Sequence, residues 1–589
     1  MVVLHSLNRF LARPVSLSVL VRPWLGTARY DGLKSCRLQA FLPGASEGWG
    51  LLRDAPCQNG FSTLPFKERP RYSREKKARS TAENGVQELN DLEEAEEDPD
   101  RTRLLNSVIK VYCKHTEPNF SLPWQRKRQI STSSSGFMVS QGREKWVLTN
   151  AHSVQYYSQV QVKRRDDDRK FIARVLAIGT DCDIALLTVD EREFWEGVEP
   201  LPLGPLPRLQ DYVTVVGYPI GGDSISVTSG VVSRIEMTQY SHGGCELLAA
   251  QIDAAINSGN SGGPVFNESG HCVGIAFQSY CDSDVENIGY MIPTPVIRHF
   301  LQDYHMNKMF TGFPNLGVSW QRMEAPDLRR AIGMEGNASG VLLRSVHPTS
   351  SAHGILKPGD VLMEFDGVRI ANDGTVPFRN GERIMYPYLM AQKFVGDVAH
   401  FQVLRDGRMM KLQVELSRYE PLVPPHLENR DPSFFILAGF VFTTLNEHYL
   451  LSEYGSSYST EAPVKLLHQL YCGVKMHRRQ QVVVLSQVLA SDATVGFEDA
   501  CNVQVHSFNG EVVHDLNHLV EMVISCEDEY MRFDLDFEQV IVVNSELAKK
   551  TTVDVLEEHS IPDMASPDVM SHLENVGVLA KRTRKRTLR

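Results

Sequence analysis

Over residues 104–304 the apolar positions fall in short β-branched runs at 108–112, 136–139, 146–149, 160–162, 173–178 and 184–189, each closed by turn residues. The pattern continues at 212–218, 224–235, 247–252, 264–266, 272–277 and 289–292. Short strands at this spacing predict an all-β sandwich or barrel rather than an alternating α/β sheet, and about a dozen of them match two small barrels. The period then changes. Val296, Ile297, Phe300 and Leu301 share one helical face, which predicts a helix at the end of the segment.

Residues 312–418 carry a helical stretch at 328–332, strands at 341–346 and 361–365, and an Asp366-Gly367 turn. That is the composition of a compact mixed α+β module. Residues 431–548 repeat the order loosely, with strands at 440–443, 481–489, 503–508, 531–537 and 539–543, an Asn509-Gly510 turn and a helix at 516–524. A second, diverged copy of the same module is expected. Pro424, Pro425 and Pro432 mark the linker between the two copies. The expected fold class is therefore mainly β, a double β-barrel followed by two α+β modules.

The chain ends read differently. Residues 1–40 hold six Lys or Arg against the single acid Asp31, the composition of an organelle-targeting segment, and 1–66 is assigned as that segment with its leader. Residues 67–103 pass from basic to acidic, ending in Glu93, Glu94, Glu96, Glu97, Asp98 and Asp100. Such blocks cannot bury apolar surface and are expected as a solvated linker. Residues 549–589 are expected as an extension, and 581–589 form a basic tail. A mitochondrial address leads, with chloroplast or, through the tail, nucleus as alternatives.

The 589 residues imply several folded units, and 42% hydrophobic with 23% charged residues is near the globular average. The formal charge of −11 argues against nucleic acid as a partner. No apolar run reaches the roughly 20 residues of a membrane span, so no integral span is expected. The ten cysteines form no C-x-x-C pair and the histidines no H-E-x-x-H, so neither a structural metal nor any other cofactor is expected.

Three short strings each supply one member of a nucleophilic triad: Thr149-Asn150-Ala151-His152, Asp181-Cys182-Asp183-Ile184 and Asn257-Ser258-Gly259-Asn260-Ser261-Gly262-Gly263-Pro264. A serine hydroxyl is a poor nucleophile at neutral pH and needs a base within reach, itself oriented by a third group. His152 as base, a carboxylate at Asp183 or Asp181 as orienter and Ser261 as nucleophile satisfy that need. The order His, Asp, Ser is that of chymotrypsin-like double barrels. A tight glycine turn lets the Gly259 and Ser261 N–H groups meet an oxyanion, and Asn260 is a third candidate donor.

On TNAHSV, DCDIALL, GYPIGG and NSGNSGGPVF, residues 104–304 resemble the trypsin-like protease domain of the Deg/HtrA (Do-like) family, and the chain over roughly 104–566 resembles the plant organellar type with PDZ domains. The resemblance selects Asp183, which directly precedes Ile184-Ala185-Leu186-Leu187. It implies an ATP-independent serine endopeptidase acting on misfolded or damaged proteins, assembled as a homotrimer or a multiple of trimers. It also places the specificity pocket near Ile256, Ile275, Ala276 and Phe277, which suits a small or medium aliphatic side chain. Leu316, Gly317 and Val318 resemble a PDZ carboxylate loop that would take peptide C-termini by strand addition. In the second copy Ala438-Gly439-Phe440-Val441 stands at that place, followed by a long segment at 445–476 that puts peptide binding there in question. The alternative to a working protease is a chaperone-like or scaffold protein whose protease site is latent.

Overall fold

The computed structural model describes residues 99–575, apart from 241, 242, 283, 284, 335 and 380. The targeting segment, most of the charged linker and the basic tail lie outside the described residues. A helix, Pro99–Asn106, already starts within the stretch read as linker. Two closed six-stranded barrels follow. The first consists of β1 (Val108–His115), β2 (Ile130–Gln141), β3 (Glu144–Thr149), β4 (Tyr157–Lys163), β5 (Phe171–Gly179) and β6 (Ile184–Val189), in the order β1-β2-β3-β6-β5-β4. The second consists of β7 (Tyr212–Gly217), β8 (Ser226–Gln239), β9 (Glu246–Ile252), β10 (Pro264–Asn267), β11 (Cys272–Asp282) and β12 (Val285–Pro293), in the order β10-β11-β12-β9-β8-β7.

Successive strand residues point to opposite faces, so a continuous apolar run can fill two cores at once. In β6, Ala185 and Leu187 enter the first barrel's interior with Ile109, Val111 and Val147. Ile184 and Leu186 of the same strand join a different core that lies outside that interior. That second core also takes Phe137, Leu148, Ile275 and Phe277, and Ile297 and Phe300 from the helix Thr294–Asn307. It continues without a break into Val341, Leu362 and Phe401 of the next module.

The first α+β module is a sheet in which Val318–Gln321 forms one edge, beside Val341–Val346 and then Val361–Phe365. The second module's sheet starts one strand earlier. Phe434–Leu437 pairs with Phe440–Thr444, whose other side is taken by Val483–Val488. Backbone bonds from Ile436 to Met564 and from Ser566 to Phe434 cover the outer side of Phe434–Leu437. The segment expected as an extension thus belongs to the fold: the helix Ser545–Glu558 and the helix Pro567–Asn575 bring Ala548, Val569 and Leu573 into the second module's core. The long segment after residue 445 holds the helices Glu447–Tyr454 and Val464–Cys472, whose Leu450 and Leu466 pack with Leu422 and Val423. Among the described residues no helix is long and apolar enough to cross a membrane.

Candidate active site

His152 and Asp183 are brought together by two short turns at strand ends. β3 ends at Thr149, and a 3₁₀ turn over His152–Val154 points the imidazole back toward β6. Asp183 closes a second such turn, Thr180–Cys182, in the left-handed conformation (φ 50°), and donates its N–H to the Thr180 carbonyl. Aspartate tolerates this region better than most residues. The Asp183 carboxylate is fully buried and is held on both oxygens by one residue. Oδ1 accepts the His152 backbone N–H at 2.9 Å, and Oδ2 lies 2.7 Å from His152 Nδ1. Asn150 Nδ2 donates to the Asp183 carbonyl at 2.9 Å, which ties the two turns together a second time.

With Nδ1 committed to Asp183, any proton that His152 takes up from a nucleophile would be carried at Nε2. Burial works against the imidazolium, but the charge and hydrogen bond of Asp183 outweigh it, and the His152 pKa is raised above its ordinary 6.5. Asp181, the competing carboxylate, is turned away. It meets Arg418 at 3.0 Å and His426 at 3.4 Å.

The turn that carries Ser261 is packed directly against the end of β3. Gly262 (φ +85°) has no room for a side chain, since a Cβ would lie 2.2 Å from the Ser135 carbonyl and 2.6 Å from Thr149 Oγ1, three residues before His152. Gly259 (φ +99°) is as constrained, by the Tyr218 carbonyl at 2.5 Å. The Asn260 N–H donates to the Asn257 carbonyl at 2.9 Å, so this arrangement does not offer it as a third oxyanion donor. The Gly259 and Ser261 N–H groups meet no acceptor among the described residues. The Ser261 hydroxyl donates to the Phe277 carbonyl at 3.4 Å.

The four pocket candidates do not share one face. Ile256 and Ala276 belong to the second barrel's interior, whereas Ile275 and Phe277 point the other way, with Phe277 against Tyr240 at 4.6 Å. The alternation of β11 separates them. In the first module Gly317 adopts φ +58° and gives its N–H to Asn315 Oδ1 at 2.8 Å. Trp320 packs edge-on against Tyr386 at 5.5 Å, and with Leu316, Val318 and Met390 they line one end of a cavity of about 1150 Å³ that extends to Asp181 and the linker at Arg418 and His426. Val318–Gln321 is an edge strand with one side open, whereas Phe440–Thr444 in the second module is paired on both sides. Strand addition by a peptide is therefore possible at the first and occluded at the second.

Two contributors escaped the sequence reading: Asn150, although it stands inside the TNAHSV string, and Ser135, whose contacts are described below. Among the described residues no group of three His, Cys, Asp or Glu is placed to hold a metal ion.

Residues 134–275 match the trypsin-like peptidase domain family and residues 423–568 the PDZ domain family. Protease Do-like 2, chloroplastic, of Arabidopsis thaliana is 49% identical over 79% of this chain and 76% of its own length. Putative protease Do-like 3, mitochondrial, of the same plant is 40% identical over 80% of this chain and 81% of its own length. A solved HtrA-type protease, AlgW with a decapeptide, is 26% identical and aligns with a TM-score of 0.42 over 55% of this chain and 98% of that one. With a peptidase domain, a PDZ domain and relatives of this identity along most of its length, the chain belongs to the Do-like (Deg/HtrA) family of serine proteases and is a serine endopeptidase.

Proposed function

We propose that the chain degrades unfolded or damaged polypeptides, without ATP, at a centre formed by Ser261, His152 and Asp183. Ser261 Oγ attacks the scissile carbonyl carbon while His152 Nε2 takes its proton. The N–H groups of Gly259 and Ser261 receive the oxyanion, and His152 returns the proton to the leaving amine. Water repeats the sequence to free the acyl group and restore the serine. Asp183 keeps the imidazole in the tautomer that leaves Nε2 able to accept. The observation that carries this reading is the bidentate hold of Asp183 on His152, beside a turn with two unpaired N–H donors. The Ser261 hydroxyl has to turn from the Phe277 carbonyl to His152 when substrate arrives, and such bonds are commonly loose before binding.

The residue before the scissile bond is proposed to be small or medium and aliphatic, resting near Ile256, with no carboxylate among the pocket candidates to attract Lys or Arg. Substrate C-termini are proposed to add to Val318–Gln321 above the Leu316–Gly317 turn. An organellar location is favoured by the basic leader and by relatives named as mitochondrial and chloroplastic. The mitochondrion comes first, and trimers or multiples of trimers are the proposed assembly.

The test is degradation of a reduced, unfolded protein by this chain and by Ser261→Ala at matched concentration. Cleavage by the parent alone supports the assignment. Equal cleavage by both places the nucleophile elsewhere, and cleavage by neither favours a latent scaffold.

A further inference from the structure

Ser135 lies in β2 of the first barrel and is fully buried, yet most of its polar contacts reach the second barrel. Its hydroxyl donates to the Gly259 carbonyl at 2.7 Å and accepts the Tyr218 N–H at 2.7 Å. Its own N–H donates to the Ser261 carbonyl at 3.0 Å. Its carbonyl accepts Thr149 Oγ1 at 2.8 Å, on the strand that leads to His152. One residue thus touches both sides of the centre.

The consequence follows from the planarity of the peptide unit, in which the C=O of one residue and the N–H of the next point in opposite directions. Fixing a carbonyl therefore fixes the following N–H. Along the nucleophile turn four carbonyls in succession are held. Ser258 is held by the Ile220 N–H at 2.8 Å, Gly259 by Ser135 Oγ, Asn260 by the Gly263 N–H at 2.9 Å and Ser261 by the Ser135 N–H. The Ser258 and Asn260 carbonyls, held by Ile220 and Gly263, orient the Gly259 and Ser261 N–H groups, and Ser135 holds the peptide between them, Gly259–Asn260, and the one that follows, Ser261–Gly262. Holding the Gly259 carbonyl sends the Asn260 N–H to Asn257, and the N–H groups that remain unpaired are those of Gly259 and Ser261.

We infer that Ser135 is a positioning residue for the oxyanion donors: its hydroxyl, anchored on the first barrel, locks the Gly259–Asn260 peptide in the orientation that leaves both donors free. The inference rests on the assignment of Ser261 as nucleophile. A hydroxyl suits the position because it accepts and donates at once. A larger side chain does not, since a Cβ on Gly217 would already lie 2.7 Å from Ser135 Oγ. With the hydroxyl gone, the Gly259 carbonyl is left without its donor and this peptide can rotate, while the His152–Asp183 pair stays as it was.

The experiment compares the full chain with Ser135→Ala and Ser261→Ala, using an unfolded polypeptide for kcat and KM and a peptide aldehyde, which becomes tetrahedral on the serine, as inhibitor. Removal of a direct oxyanion donor costs about 100- to 1000-fold in kcat. For Ser135→Ala, one step removed, we expect a loss of roughly 10- to 100-fold in kcat, KM within about twofold, and aldehyde affinity reduced in parallel. Ser135→Cys adds only the larger sulfur and keeps a weak donor, so it should fall between; it carries the same test if the alanine variant does not fold. A folded Ser135→Ala with parental kcat and aldehyde affinity overturns the inference, as does a loss confined to KM. Undiminished cleavage by Ser261→Ala would instead overturn the nucleophile assignment beneath it.

Discussion

A base can take a proton only when it is neutral, so with His152 as the proposed base its raised pKa should set the acid side of the activity profile. Burial disfavours the imidazolium here, but the Asp183 charge and its hydrogen bond to Nδ1 favour it more. The sign follows. As the pH falls through a folded pKa above 6.5, His152 gains a proton, loses its acceptor at Nε2, and kcat/KM declines with it. The acid limb should therefore lie above pH 6.5 in a pH–rate profile. In Asp183→Asn the carboxylate charge is gone and the amide can no longer enforce the tautomer. The limb should move to lower pH, and kcat should fall by about 10⁴-fold. If the limb stays in place in this variant, the raised pKa has some other source and the orienting role of Asp183 fails.

At the level of single elements, the turn Lys357-Pro358-Gly359-Asp360 shows how a loop is made rigid by one buried charge pair. Asp360 is nearly inaccessible; it accepts the Lys357 N–H at 2.8 Å and pairs through both oxygens with Arg405 Nε and Nη2 at 2.6 and 2.7 Å. Arg405→Met leaves that carboxylate buried without its cation, and the loss should be about 3–5 kcal/mol, read as a lowered unfolding midpoint. Arg405→Met combined with Asp360→Asn should cost less than the two single changes added together, because the stranded charge is then absent. Elements of this kind were legible in the sequence where the signal is local. The strands at 341–346 and 361–365, the glycine turn at Ser261 and the paired turns holding His152 and Asp183 each lie within a few consecutive residues. What escaped depends on distant partners. Ser135 reads as one more strand residue, since the carbonyl that gives its hydroxyl a purpose is 124 positions away. The helices Glu447–Tyr454 and Val464–Cys472 bury few residues each, against Leu422 and Val423 of the preceding linker, so their apolar faces are too narrow for a local period to reveal. The helices after residue 544 were missed for a related reason: of the five residues that Ser545–Glu558 buries, Ser545, Thr551 and Thr552 are polar, so no apolar stripe marks its inner face, and Pro567–Asn575 buries only Val569 and Leu573.

At the scale of the whole molecule, the first PDZ-like module is built onto the protease instead of hanging from it. One apolar core runs from Phe137 and Leu148 through Phe277 and Phe300 to Leu362 and Phe401. His299 is stacked between Phe313 and Phe394 at 4.2 and 4.4 Å, with Nε2 bonded to the Lys393 carbonyl. The polar counterpart of this seam is Asp181, on the turn just before Asp183, which meets Arg418 from the end of the module and His426 from the linker. Burial raises the cost of charging Asp181, yet the hydrogen bond from His426 and the charge of Arg418 outweigh it and hold the pKa below 3.8. A carboxylate whose pKa is lowered on folding stabilises the fold above its unfolded value, near pH 4, and that contribution disappears as the pH falls through the folded pKa. Arg418→Met removes the principal cation while keeping much of the side chain's bulk. It should lower stability by about 3 kcal/mol at neutral pH, and the difference from the parent should shrink as both are acidified toward pH 3, where Asp181 is protonated in the variant. Unfolding midpoints measured from pH 7 to pH 3 separate this from loss of packing, since a packing defect costs the same at every pH. A constant difference would mean that the apolar core alone joins the module to the protease, and that the turn carrying Asp183 is insulated from the linker beside it.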